Sequence, residues 1–149
     1  MKRVLAKAAA VAAAAGLAPL MFTASAQADP GTVHFTSGSF SCAIYGDGTV
    51  GCDLAQPTRL HYEGLPFLLH VGEIVIDQSW LPAHPTFDPG TPYTLPGGNP
   101  QLNDVKTGDG AWGPYIEHAG ARCEVGFHGS FGCQAKGRGF TIYSGTISA

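Results

Sequence analysis

Basic residues are scarce in this chain: eight lysines and arginines stand against eleven acids in 149 residues. Three of the eight, Lys2, Arg3 and Lys7, fall in the first seven positions. The 121 residues beyond position 28 therefore carry five cations and eleven anions, a formal charge of −6. Nucleic acid and anionic membrane are both bound through clustered positive charge, so that balance argues against either as a partner. No Gly-x-Ser-x-Gly elbow marks a hydrolase nucleophile. Ten residues of clean helical periodicity occur nowhere after residue 28, and no later apolar run is long enough to cross a bilayer.

What is present begins with a leader. A short basic start is followed by an apolar run from Ala8 to Phe22, interrupted only by Gly16 and Pro19, and then by Ala26-Gln27-Ala28 ahead of Asp29-Pro30. Charged start, apolar middle and small-x-small exit describe a secretory signal peptide cleaved after Ala28. A single arginine near the start gives the twin-arginine route no support, and no cysteine follows the run to take a lipid anchor. The expectation is a signal peptide over 1–28 and one secreted domain over 29–149, either released or retained at the cell envelope.

Twenty of the 21 glycines and ten of the 11 prolines lie in that domain, interleaved with Val, Ile, Phe and Tyr. Short strands joined by frequent turns fit this mixture. The most specific feature is a repeat. Cys42-Ala-Ile-Tyr-Gly-Asp-Gly-Thr-Val-Gly-Cys52 and Cys123-Glu-Val-Gly-Phe-His-Gly-Ser-Phe-Gly-Cys133 share a nine-residue spacing, an aliphatic two after the first cysteine, and Gly-hydroxyl-apolar-Gly near the end. Each copy reads as a β-hairpin. Cys42 opposite Cys52 pairs Ile44 with Val50 and leaves Gly46-Asp47-Gly48 as a three-residue loop; the second register leaves Phe127-His128-Gly129. Alternation then puts Phe40, Cys42, Ile44, Val50, Cys52 and Leu54 on an apolar face, with Ser41, Tyr45, Thr49 and Asp53 on a wet one. Four cysteines permit three connectivities; the repeat selects Cys42–Cys52 and Cys123–Cys133. Export favours their oxidation, and the spacing is unlike the short knuckles of a zinc site.

Between the hairpins, Leu65–Leu69, Val71 and Glu73–Asp77 read as one or two strands. Six prolines and three glycines between Leu81 and Pro100 predict an extended loop with a short edge strand near Tyr93. Asn103–Gly110 is turn-like, and Gly139–Ser148 reads as a closing strand with Phe140, Ile142 and Ser144 on one face.

Phe35-x-Ser-x-Ser-Phe-Ser-Cys42, the hairpin ending Gly51-Cys52-Asp53, and the late Gly137-x-Gly-Phe-x-Ile142 resemble a family of small exported actinobacterial proteins of unknown function with two closely spaced cysteine pairs. Trp112-Gly113-Pro114-Tyr115 is similar to a divergent form of that family's proline-tyrosine-glycine stretch. The resemblance spans about half of the domain. It implies an exported β domain and implies no chemistry.

Sites are weakly marked. His61, Glu63, His70 and Glu73 fall within thirteen residues, but on a strand His70 and Glu73 face opposite ways, so no metal site and no cofactor is predicted. Asp77, Asp88 and Glu117 are carboxylates that only folding could bring together. Aromatics on loops offer a better lead, because exposed rings stack sugars or anchor partners, although rings under a long loop are commonly satellite core. Tyr45, Trp112, Tyr115 and Phe127 are the expected contact residues. The sequence therefore predicts an all-β domain, a small antiparallel sandwich or partly open barrel around two disulfide-stapled hairpins. It is expected to be non-enzymatic and to bind an extracellular protein or a cell-wall component. The alternative is a small secreted hydrolase or metal-dependent enzyme.

Overall fold

In the computed structural model, which describes residues 31–62 and 64–149, ten strands form one curled sheet that wraps part of the way round its own core. The expected leader with its cleavage point, and Glu63, lie outside the described residues.

The first half contributes β1 (Val33–Ser37), β2 (Phe40–Ile44), β3 (Val50–His61) and β4 (Leu69–Ile76). The second contributes β5 (Gly108–Asp109), β6 (Pro114–His118), β7 (Ala121–Val125), β8 (Phe131–Ala135), β9 (Arg138–Tyr143) and β10 (Thr146–Ser148). A single helical turn, α1 (Leu102–Val105), precedes β5. Neighbouring strands are antiparallel except at one place, where β10 lies parallel to residues 59–61 of β3. β3 is the organising strand. One edge pairs with β2 over its first five residues and with β10 over its last three, while the other edge carries β4 over residues 50–53 and 58–60, with a shift of register between Asp53 and Thr58.

Both hairpins have the expected register. Cys42 faces Cys52 and Ile44 faces Val50; Cys123 faces Cys133 and Val125 faces Phe131. Both disulfides form within their own copy, each with a Cα–Cα distance of 4.0 Å. Gly48, at a φ of 80°, closes the first loop, and Asp47 accepts the Thr49 amide beneath it. The two copies face each other across the core. Phe131 of β8 stacks on Phe40 of β2 (centroids 5.7 Å apart) and meets Phe35 of β1 edge-on (6.2 Å). All four half-cystines are buried in the same cluster.

The rest departs from the expected pattern in ways that have physical causes. Of the one or two strands expected over 65–77 one forms, β4, and residues 65–68 lie outside it, with a bend at Pro66-Phe67. β3 runs seven residues past Leu54 because β10 and β4 supply partners there. The tail is two strands, with Phe140 and Ile142 inward and Ser144 in the turn between them. No strand forms at Tyr93, which is buried in a turn. The supposed wet face of the first hairpin is the largest correction. Ala43, Val75 and Tyr93 form a second small core on it, with Tyr45 packed alongside, and Asp53 is buried. The Pro/Gly segment crosses that face and lays the Tyr93 ring flat on Gly51. A Cβ at position 51 would fall 2.0 Å from the ring, so only glycine leaves room.

Candidate functional site

Two places concentrate chemistry. The first is the tip of the second hairpin. β7 and β8 hold a 3-10 turn, Phe127–Gly129, at their end, and the chain leaving β5 brings Trp112 alongside it. The Trp112 and Phe127 rings meet edge-to-face at 4.7 Å and remain 63% and 55% exposed. His128, at a φ of 55°, packs its ring against Phe127 (3.8 Å). On the adjoining outer face, Arg122 lies 3.7 Å over the Tyr115 ring and is held there by Glu117 (2.7 Å) and Glu124 (2.8 Å). Hydrogen bonds from Arg122, first to Glu117 and then to Glu124, hold the guanidinium firmly in its charged form. Beside it Glu124, Gly126, Ser130, Gly132, Gln134 and Thr141 line a shallow trough of about 100 Å³. Exposed aromatic surface next to directional polar groups suits recognition of a partner.

The second place is the covered face of β3 and β4. Asp53 and Glu73 are cross-strand partners, 5% and 6% exposed. The Asp53 carboxylate accepts from the Tyr93 amide (2.9 Å) and the Thr94 hydroxyl (2.6 Å). Glu73 accepts from the amides of Thr86 (2.8 Å) and Asp88 (3.2 Å) and from the Thr86 hydroxyl. Burial first, with the charge of Glu73 adding, raises the Asp53 carboxyl above its usual range; the donors from Thr94 and Tyr93 oppose it. Burial likewise pushes the Tyr93 phenol well up, with the charge of Glu73 next. A raised carboxyl can serve as a general acid, but here both acids lie beneath the segment they fasten.

No family model, no curated protein and no solved structure matches this chain. The sites rest on their own geometry.

Of the four expected contact residues, three converge on the second hairpin: Trp112, Phe127 and Tyr115. Tyr45 does not, since it packs against the small second core, where burial and then the charges of Asp53 and Asp47 raise its phenol. The carboxylates expected to need the fold are scattered. Asp77 holds His84 (3.0 Å), Asp88 stands 2.8 Å from the Thr86 hydroxyl oxygen, and Glu117 holds Arg122. His70 and Glu73 lie on opposite faces of β4, and among the described residues no three His, Cys, Asp or Glu side chains gather as a metal site. The Asp53–Glu73 pairing went unseen in the sequence, because Asp53 reads there as an outward residue. The signal was a lone carboxylate inside Gly72-Glu73-Ile74-Val75-Ile76, an apolar strand that gains nothing from a charge unless something caps it.

Proposed function

We propose that this chain is an exported, non-enzymatic binding module of the actinobacterial type its cysteine hairpins resemble. Its contact surface is the Trp112–Phe127 tip with the Tyr115–Arg122 face beside it, and its partner is a component of the cell wall or its surroundings. One observation carries the reading: two large rings meet edge-to-face and point into solvent on a hairpin stapled at its base by Cys123–Cys133. Rigid aromatics presented without loss of rotamer freedom are the usual energetic centres of a contact surface. Two disulfides favour an oxidising compartment. Among the described residues no helix is long and apolar enough to cross a membrane.

Two measurements test it. Intact mass of protein from an actinobacterial culture supernatant should give a chain starting at Asp29; a cell-associated product retaining Met1 argues against export. Cosedimentation with purified cell walls should then be weakened at least tenfold by W112A/F127A, since truncating a central aromatic costs on the order of 2 kcal/mol. The melting temperature should hold, because both rings are mostly exposed. Equal sedimentation of the variant and the parent would sink the reading.

A further inference from the structure

Residues 84–94 form a strap over the β3–β4 face. It starts as a two-bond bridge between His84 and Val75 (2.9 and 3.0 Å), which also covers the free edge of β4. Glu73 Oε1 then receives the amides of Thr86 and Asp88, fixing the backbone on both sides of Phe87. Phe87 sits at a φ of 61°, a region a bulky side chain avoids, and it is 75% exposed. Further on, Asp53 Oδ2 receives Tyr93 and Thr94. The strap is thus tied at two points by two carboxylates that face each other directly across two strands.

Each carboxylate uses one oxygen for the strap. The other two, Asp53 Oδ1 and Glu73 Oε2, are buried and without a hydrogen-bond partner among the described residues. Two such orphaned acceptors on one face are costly, and one proton between them satisfies both. We propose that Asp53 and Glu73 share a proton between these oxygens, which makes the strap an acid-set clasp that loosens when the proton leaves for solvent. The proton is placed on Asp53, the member of the pair whose carboxyl burial raises above its usual range. The groups facing the pair are acidic or phenolic: Tyr45 at the end of β2, and Asp88 and Tyr93 in the strap. His84 is engaged by Asp77, and no lysine or arginine bonds either carboxylate among the described residues. Once the proton is lost, two like charges stand opposite one another with no counter-ion.

The sign follows from the raised Asp53 carboxyl. Its contribution is fully present below the unfolded aspartate value of about 3.9 and is lost as pH rises through the higher folded value. Because the strap also fixes Phe87, the presentation of that ring becomes pH-dependent.

Amide hydrogen exchange on the processed protein between pH 3 and 8, corrected for intrinsic rates, tests this directly. Protection at Thr86, Asp88 and Tyr93 should fall with rising pH by up to about tenfold per unit, the limit for one linked proton, while the β2–β3 ladder serves as a constant reference. In D53N the carboxamide keeps an acceptor for Tyr93 and Thr94 and donates permanently towards Glu73, so protection there should not change with pH. A flat wild-type profile, or a D53N profile that tracks the wild type, overturns the proposal. Should D53N not fold, carboxyl NMR titration of the wild type decides. A coupled pair with one member above the usual range supports the clasp, and two independent ordinary titrations refute it.

Discussion

Removing both disulfides is expected to lower the unfolding free energy by about 5–6 kcal/mol, and either one alone by about half of that. Each bridge closes a loop with a sequence separation of 10, for which the loss of unfolded-chain entropy corresponds to about 3 kcal/mol. The two loops do not overlap in sequence, so their effects on the unfolded chain should add. Small domains have roughly 5–15 kcal/mol in total, so the doubly reduced protein should lose between about a third and all of its stability. The comparison is between the oxidised protein and C42A/C52A, C123A/C133A and the fourfold variant in urea. A fourfold variant with an unchanged midpoint would mean that the bridges decorate a fold held entirely by other forces.

The second large effect is expected at Phe131. Its ring is 3% exposed, stacks on Phe40 and meets Phe35 edge-on, and so joins the β8 hairpin to the β1–β2 hairpin across the core. F131A removes the ring from a packed interior whose neighbours, anchored in the sheet by β1 and β2 backbone pairing, cannot collapse inward to fill the gap. The expected cost is about 3–5 kcal/mol, with the aromatic pairs contributing part of it. F67A makes the control: Phe67 is half exposed and should change stability by no more than about 0.5 kcal/mol. A loss below about 1 kcal/mol for F131A would show that the two hairpins do not depend on this contact.

The hairpins were legible because everything that specifies them is local. Cysteine spacing, alternation and the Gly-Asp-Gly loop together admit one register, and a slip by one residue would turn Cys42 and Cys52 away from the core. The two-residue turns at Ala119-Gly120, Lys136-Gly137 and Ser144-Gly145 were also written in the chain, each with positive φ at both positions. The last of these would have divided the tail into β9 and β10 had it been given that weight. The second core was not legible. Whether Asp53 faces water depends on where residues 84–94 travel, and a Pro/Gly segment carries no periodicity that would reveal its path. Tyr93 illustrates the point, since a β-prone residue among prolines reads as an edge strand, whereas its ring is fixed by a glycine 42 positions away. At the tip, the aromatics could be named in advance but not grouped. Trp112 meets Phe127, and Tyr45 does not, only because β6 pairs with β7.

The partner switch along β3 also bears on how the molecule assembles. Before residues 146–148 dock, the ladder is in two pieces, β1–β4 and β5–β9, each containing a disulfide that needs only a ten-residue search. Joining them means bringing Thr146–Ser148 beside Arg59–His61, a parallel contact with a long loop to close and little local chain to guide it. Two oxidised hairpins should therefore appear early and wait for a slow encounter between them. Were the chain exported as proposed above, that encounter could not be completed until β10 had left the channel, which would keep the molecule threadable for as long as it was being threaded.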